Sequence, residues 1–213
     1  MNIIKKLINY NFYSNTNKPQ YIVIHDTGNV NSGANAEMHY RYFNGGNREA
    51  SAHFIVDDVE VLQLIEIKDS AWHVGDGYNK YGINNKNSIG IEICINQDGN
   101  YELAVKKAIE LTAYLMKEYN ISIENVVRHY DASRKICPNT MSGNNWEKWY
   151  EFKTSVIEKV TVEPITNISE ALSVLQKHGL TNSPRYWRNV ARVITYLNPL
   201  LINIANKLNE LER

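Results

Sequence analysis

The stretch Ser88–Ile95 alternates strictly: Ile89, Ile91, Ile93 and Ile95 fall on one side, and Gly90, Glu92 and Cys94 on the other. A period of two predicts a strand with one face in an apolar core. Tyr21–His25 reads as a short buried strand. Ala52–Val56 and Val59–Ile67 read as two strands joined around Asp57–Asp58. Helical spacing replaces alternation over 102–119, where Ala104, Ala108, Leu111, Thr112, Leu115 and Tyr119 share a face. Ala34–Tyr42 predicts a shorter helix, and Asn44–Asn47 and Gln97–Asn100 are Gly/Asn-rich loops. Strands and helices interleaved in this way predict an α/β domain, with a central mixed β-sheet flanked by helices.

Around Glu158–Pro164 the periodicity lapses into Val, Thr, Glu and Pro, which places a linker at 158–166 between a domain at 1–157 and a small unit at 167–213. Three helices are predicted in that unit. Asn167 caps the first, with Glu170 at its third position and Gly179 near its end. Ser183–Pro184 opens the second, striped by Trp187, Val190, Ala191, Ile194 and Leu197, and Asn198–Pro199 opens the third. A unit of about fifty residues is marginal on its own. Docking or self-association into a homo-oligomer through these helices is the expectation.

Composition narrows the function classes. The chain of 213 residues carries 23 basic and 23 acidic side chains, which argues against a nucleic-acid partner. No apolar run is long enough to span a membrane. The balance is uneven, since residues 164–213 hold six Lys/Arg against three Glu. Arg185, Arg188 and Arg192 lie at helical spacing there, either as a solvated face or as a contact for an anionic polymer such as teichoic acid. Two cysteines, Cys94 and Cys137, exclude a disulfide framework. The first ten residues lack an uninterrupted apolar core and a small-residue cleavage site, so the expectation is synthesis in the cytoplasm without a signal peptide.

The candidate chemistry centres on Val127–Pro138, which places His129 and Cys137 eight positions apart with Lys135 between them. Imidazole and thiolate are zinc ligands, and a catalytic zinc takes three protein ligands with one position open. His25, at the end of an apolar strand, serves either as a structural histidine or as the third ligand. Asp131 is then free to orient a ligand. Glu92 sits opposite four isoleucines and needs a polar destination: a structural cation, or a water to activate as general base. Lys135 is either a solvated loop residue or a stabiliser of an oxyanion. His53, in a strand interior, reads as structural, and Cys94 as a buried free thiol.

Taken together, Tyr21–Gly28, Ser51–Asp57, Ala71–Gly77, Ser88–Cys94 and Val127–Pro138 resemble the zinc-dependent N-acetylmuramoyl-L-alanine amidases with a T7 lysozyme-like fold. The resemblance implies a peptidoglycan hydrolase of phage or prophage endolysin type, acting on the wall after release. It cuts the amide between N-acetylmuramic acid and L-alanine and holds one zinc ion per chain. Carried over by motif, the metal ligands fall on His25, His129 and Cys137, and the catalytic residues on Glu92 and Lys135. By the same resemblance, the loop bearing Trp72 and His73 is expected to line the substrate groove. T7-type members carry a tyrosine before the His-Phe of their strand, where this chain has Ala52 before His53–Phe54. The mechanism then rests on Glu92. A non-catalytic peptidoglycan-recognition module is the alternative, and the cysteine ligand argues against it.

Overall fold

The computed structural model describes residues 1–161, 166–184, 186–188 and 197–211. Two compact units divide at Thr161, Met1–Thr161 and Val162–Arg213. The strands of the first unit are β1 (Ile4–Lys5), β2 (Phe12–Tyr13), β3 (Tyr21–Asp26), β4 (Phe54–Val56), β5 (Val61–Gln63), β6 (Ser70–Ala71), β7 (Ser88–Ile93) and β8 (Val126–Arg128). Six form one sheet in the order β1-β5-β4-β7-β3-β8, and β2 pairs with β6 apart from it. Only β4 and β5 run antiparallel within the large sheet, as the hairpin pattern around Asp57–Asp58 predicts. The buried Asp57 carboxylate makes that turn, accepting from the amides of Val59 and Glu60 and from Ala36 at the start of the helix that precedes the hairpin.

The predicted alternation in β7 is realised. Ile89, Ile91 and Ile93 are fully buried in a core shared with Ile22, Ile24, Phe54 and Val56. That face is covered by α2 (Tyr101–Tyr119), which contributes Ala104, Ala108, Leu111 and Leu115, and by α4 (Gly143–Thr161), which contributes Trp149, Phe152 and Val156. Asn100 caps α2 by accepting from Leu103, and Asn120 ends it in the left-handed conformation. The opposite face packs Ile55, Leu62 and Cys94 near α1 (Ala36–Asn44), and Val23 near Val74, Ile83 and Ala132. A five-residue helix, α3 (His129–Ser133), follows β8 directly.

Three expectations shift at their edges. β7 stops at Ile93, α1 starts at Ala36, and the Val59–Ile67 strand shortens to Val61–Gln63. Helix α4 was not among the predicted elements, and it continues to Thr161 through the first residues assigned to a linker. In the second unit, α5 (Ile168–Lys177) starts at Asn167, whose side chain accepts from the Glu170 amide, and α6 (Leu197–Leu211) carries the buried Leu201 and Ala205. Leu201 and Ala205 pack with Ala171, Leu172 and Leu175. The helix predicted from Ser183–Pro184 lies largely outside the described residues, as do Arg185 and Arg192. No helix among the described residues is long and apolar enough to cross a membrane.

Candidate functional site

Three adjacent parallel strands, β7, β3 and β8, deliver their carboxyl ends to one place, where open α/β sheets bind ligands. His25 is the penultimate residue of β3, and its register partner on β7 is Glu92. In-register neighbours point to the same side, so the imidazole and the carboxylate face the same space. His129 follows β8 at the first position of α3. Arg128 and Asp131 fix that corner: the Asp131 carboxylate accepts from the Arg128 amide at 2.9 Å and takes the guanidinium fork at 2.9 and 2.6 Å. Asp131 is thereby committed to the helix start and does not orient a ligand, contrary to the expectation from sequence. Cys137 returns to the same point, with its carbonyl accepting from the Tyr130 amide.

His25, His129 and Cys137 are all buried, and one ligand atom from each lies within 4.8 Å of the others. His25 Nδ1 is 3.1 Å from His129 Nδ1 and 3.8 Å from Cys137 Sγ. Glu92 Oε1 lies 3.9 Å from His25 Nδ1, and Glu92 Oε2 is buried without a hydrogen-bond partner. Asp26, the next residue after His25, is turned away and accepts from the Thr140 amide and hydroxyl.

The residue that orients His129 is Asp76, which accepts from Nε2 at 2.8 Å. That bond keeps the proton on Nε2, pointed at the carboxylate, and leaves the Nδ1 lone pair facing His25 and Cys137. Asp76 reaches His129 because Gly77 lies flush on α3. A side chain at Gly77 would put its Cβ 2.3 Å from the Ala132 carbonyl oxygen. Sequence reasoning missed Asp76; the clue was Gly-Asp-Gly at 75–77, where an acid sits in a tight turn.

Each charge in this pocket is penalised when taken alone. Burial, reinforced by His129, His73 and Lys135, holds the His25 imidazole well below its ordinary range. Burial pushes the Cys137 thiol up to about 12, with Glu92 and Asp26 adding to the effect while the Asp26 amide and Lys135 oppose it. The Glu92 carboxyl is pushed up to about 8 by burial and by Asp26, against the pull of Lys135. A divalent cation reverses these penalties together, since it favours thiolate, neutral imidazole and carboxylate. Two imidazoles and a thiol converging on one point, with the Glu92 carboxylate beside them, fit such an ion.

An open cleft leads to this pocket, lined by Tyr13, Trp72 and Glu49 at one part and by Asp76, His129 and Lys135 at another. Lys135 is exposed, on the loop between α3 and Cys137. Trp72 packs its ring on Tyr13, with centroids 5.1 Å apart. His73 lines the cleft but is buried, and both ring nitrogens are engaged. Nδ1 lies 3.0 Å from His25 Nε2, and Nε2 lies 3.1 Å from Ser88 Oγ. His53 is fully buried, with Nδ1 accepting from the Gly90 amide and Nε2 donating to the Asp69 carbonyl. Cys94 is buried on the α1 side of the sheet, away from the cleft residues.

Comparison with known proteins gives the family. Residues 15–140 match the family model described as N-acetylmuramoyl-L-alanine amidase. The amidase CwlH of Bacillus subtilis (strain 168) is 40% identical over 154 residues, which span 72% of this chain and 59% of that protein. The amidase XlyA of the same organism is 41% identical over 192 residues, spanning 89% of this chain and 60% of XlyA. The chain therefore spans about three-fifths of the length of these relatives. Among solved structures, the catalytic domain of XlyA matches with a TM-score of 0.66 at 40% identity, covering 73% of this chain and 99% of that domain. The PlyG catalytic domain gives the same TM-score at 34% identity. With more than half of its length matched by the family model, the chain belongs to the N-acetylmuramoyl-L-alanine amidase family.

Proposed function

We propose that this chain hydrolyses the amide between N-acetylmuramic acid and the L-alanine of the peptidoglycan stem, with one zinc ion held by His25, His129 and Cys137. The observation that carries the reading is Glu92, a carboxylate 18% exposed, with one oxygen unpartnered and the other 3.9 Å from a ligand imidazole. Zinc, when bound, supplies Lewis-acid polarisation of a carbonyl and lowers the pKa of water.

Glu92 takes a proton from the attacking water and delivers it to the nitrogen of the leaving L-alanine. Its environment suits both roles. Burial raises the carboxyl and a neighbouring cation lowers it, which poises it near neutrality. Lys135 faces the cleft with a flexible ammonium and opposes negative charge on the carbonyl oxygen as it develops. Trp72 and Tyr13 offer an apolar wall to the substrate beside this centre. His73 has no free ring nitrogen for a substrate, so the groove assignment passes to Trp72 and Tyr13.

The test is digestion of purified cell walls, followed by mass spectrometry and labelling of new amino ends. Chelator-sensitive release of N-terminal L-alanine is the expected result. Wall binding without release would leave a recognition module. For the basic C-terminal unit we propose attachment to an anionic wall polymer such as teichoic acid. Removing residues 164–213 is then expected to weaken wall binding more than hydrolysis of a soluble muropeptide. Equal loss in both would assign that unit to folding.

A further inference from the structure

The zinc reading leaves open why His25 should bind a metal through Nδ1, the nitrogen closer to its own backbone. The answer lies behind it, in three groups that the mechanism does not use. Ser88 Oγ is 2.6 Å from the Asn84 carbonyl oxygen, and a carbonyl can only accept, so the serine proton is spent there. Ser88 Oγ is therefore the acceptor in its 3.1 Å contact with His73, which fixes the His73 proton on Nε2. His73 Nδ1 is left as a lone pair, 3.0 Å from His25 Nε2. A lone pair there requires the proton of His25 on Nε2. The three side chains of this relay are buried: Ser88 is 0% exposed, His25 1% and His73 8%.

We propose that Asn84, Ser88 and His73 form a tautomer lock on His25. His73 is the positioning residue that holds the His25 Nδ1 lone pair toward His129 and Cys137. The inference rests on the metal reading above for its purpose, but the proton order along the chain follows from the hydrogen bonds alone. Asp76 imposes the same order on His129 from the cleft side. Two Nδ1 lone pairs 3.1 Å apart cannot hydrogen-bond to each other, and a cation between them relieves that conflict. The fold makes room for the lock with a glycine. A Cβ at Gly90 would lie 2.7 Å from His73 Cγ and Nδ1, so β7 must pass the ring with no side chain.

Asn and Leu are close in shape and differ in what they accept, which makes a matched pair at this position. In His73→Asn the amide oxygen replaces the Nδ1 lone pair; in His73→Leu nothing does. Zinc affinity measured by chelator competition is expected to fall 10- to 100-fold in His73→Leu and only a few-fold in His73→Asn. Equal losses in both, or no loss in either, would overturn the lock and leave His73 a packing residue. A second measurement does not depend on the variants folding. Long-range proton–nitrogen correlation spectra of the metal-free wild-type protein are expected to show His25 protonated on Nε2, and protonation on Nδ1 would overturn the proposal. Neither experiment involves peptidoglycan, so failure of the hydrolase reading registers separately.

Discussion

Along β7, Ile89, Ile91 and Ile93 are sealed against α2 and α4, while Gly90, Glu92 and Cys94 turn to the other side. The isoleucines are fully buried and Glu92 is 18% exposed, and the two sets answer to different constraints. The isoleucine face is held by volume, and any set of side chains filling the same space would serve it. The other face is held by atoms: a missing Cβ at Gly90 that admits a ring, and a carboxylate at Glu92 with one oxygen unpartnered. One strand thus combines a stabilising surface with a surface that gives up stability for chemistry, separated only by the pleat.

The strongest way to break this contrast is Glu92→Gln. On the proposed mechanism, hydrolysis is expected to fall by about 10² to 10⁴-fold while zinc content holds, because the proposed base is lost and the three proposed ligands are not. Thermal stability should stay level or rise, since a poorly solvated carboxylate is gone. Near-normal turnover by this variant would remove Glu92 from the mechanism. Ile91→Ala is the converse. Urea denaturation should show a loss of about 2–5 kcal/mol, with zinc affinity of the folded fraction unchanged.

Acid probes the boundary between the two faces through His53, whose ring accepts from the Gly90 amide. Burial holds its pKa down to about 4, opposed in part by the Asp69 carbonyl. A histidine depressed in the folded state is protonated preferentially by the unfolded chain. Its contribution is therefore complete above the unfolded value of about 6.5 and lost as pH falls toward 4. The loss is about 3 kcal/mol over that window. A urea midpoint that stays flat from pH 6.5 to 4 would contradict it. Gly90→Ala is the gentlest probe. Its Cβ must displace the His73 ring, with an expected cost of about 1–3 kcal/mol in stability and a measurable weakening of zinc binding.

The sequence spoke clearly where a single period dominates. The isoleucine alternation located β7, and the apolar stripe of 102–119 located α2 within one residue. Helix α4 carries a legible stripe too, in Trp149, Phe152 and Val156. Its start is obscured by Asn144, Asn145 and Trp146, whose positive φ values interrupt the helical pattern. At the site, residue chemistry pointed to His25, His129 and Cys137, and the structure brings them together. The partners of those residues were not legible. Asp76 is 53 positions from His129 and His73 is 48 from His25, and both contacts depend on glycines whose role is to have no side chain. Asp131, three residues from Arg128, was the nearer and wrong acid because its charge is needed at the start of α3.

His25 and His129 stand 104 positions apart, and Cys137 a further eight. β8 is the last strand at its side of the sheet, hydrogen-bonded to β3 alone over three register pairs. An ion gripped by all three ligands would tie the segment after this edge strand to the sheet interior, closing a loop of more than a hundred residues. Closure entropy grows with loop length, so such a tie acts as a staple on the fold as well as a reagent. Stripping such an ion would then be a mechanical event, felt first in the fraying of 126–137.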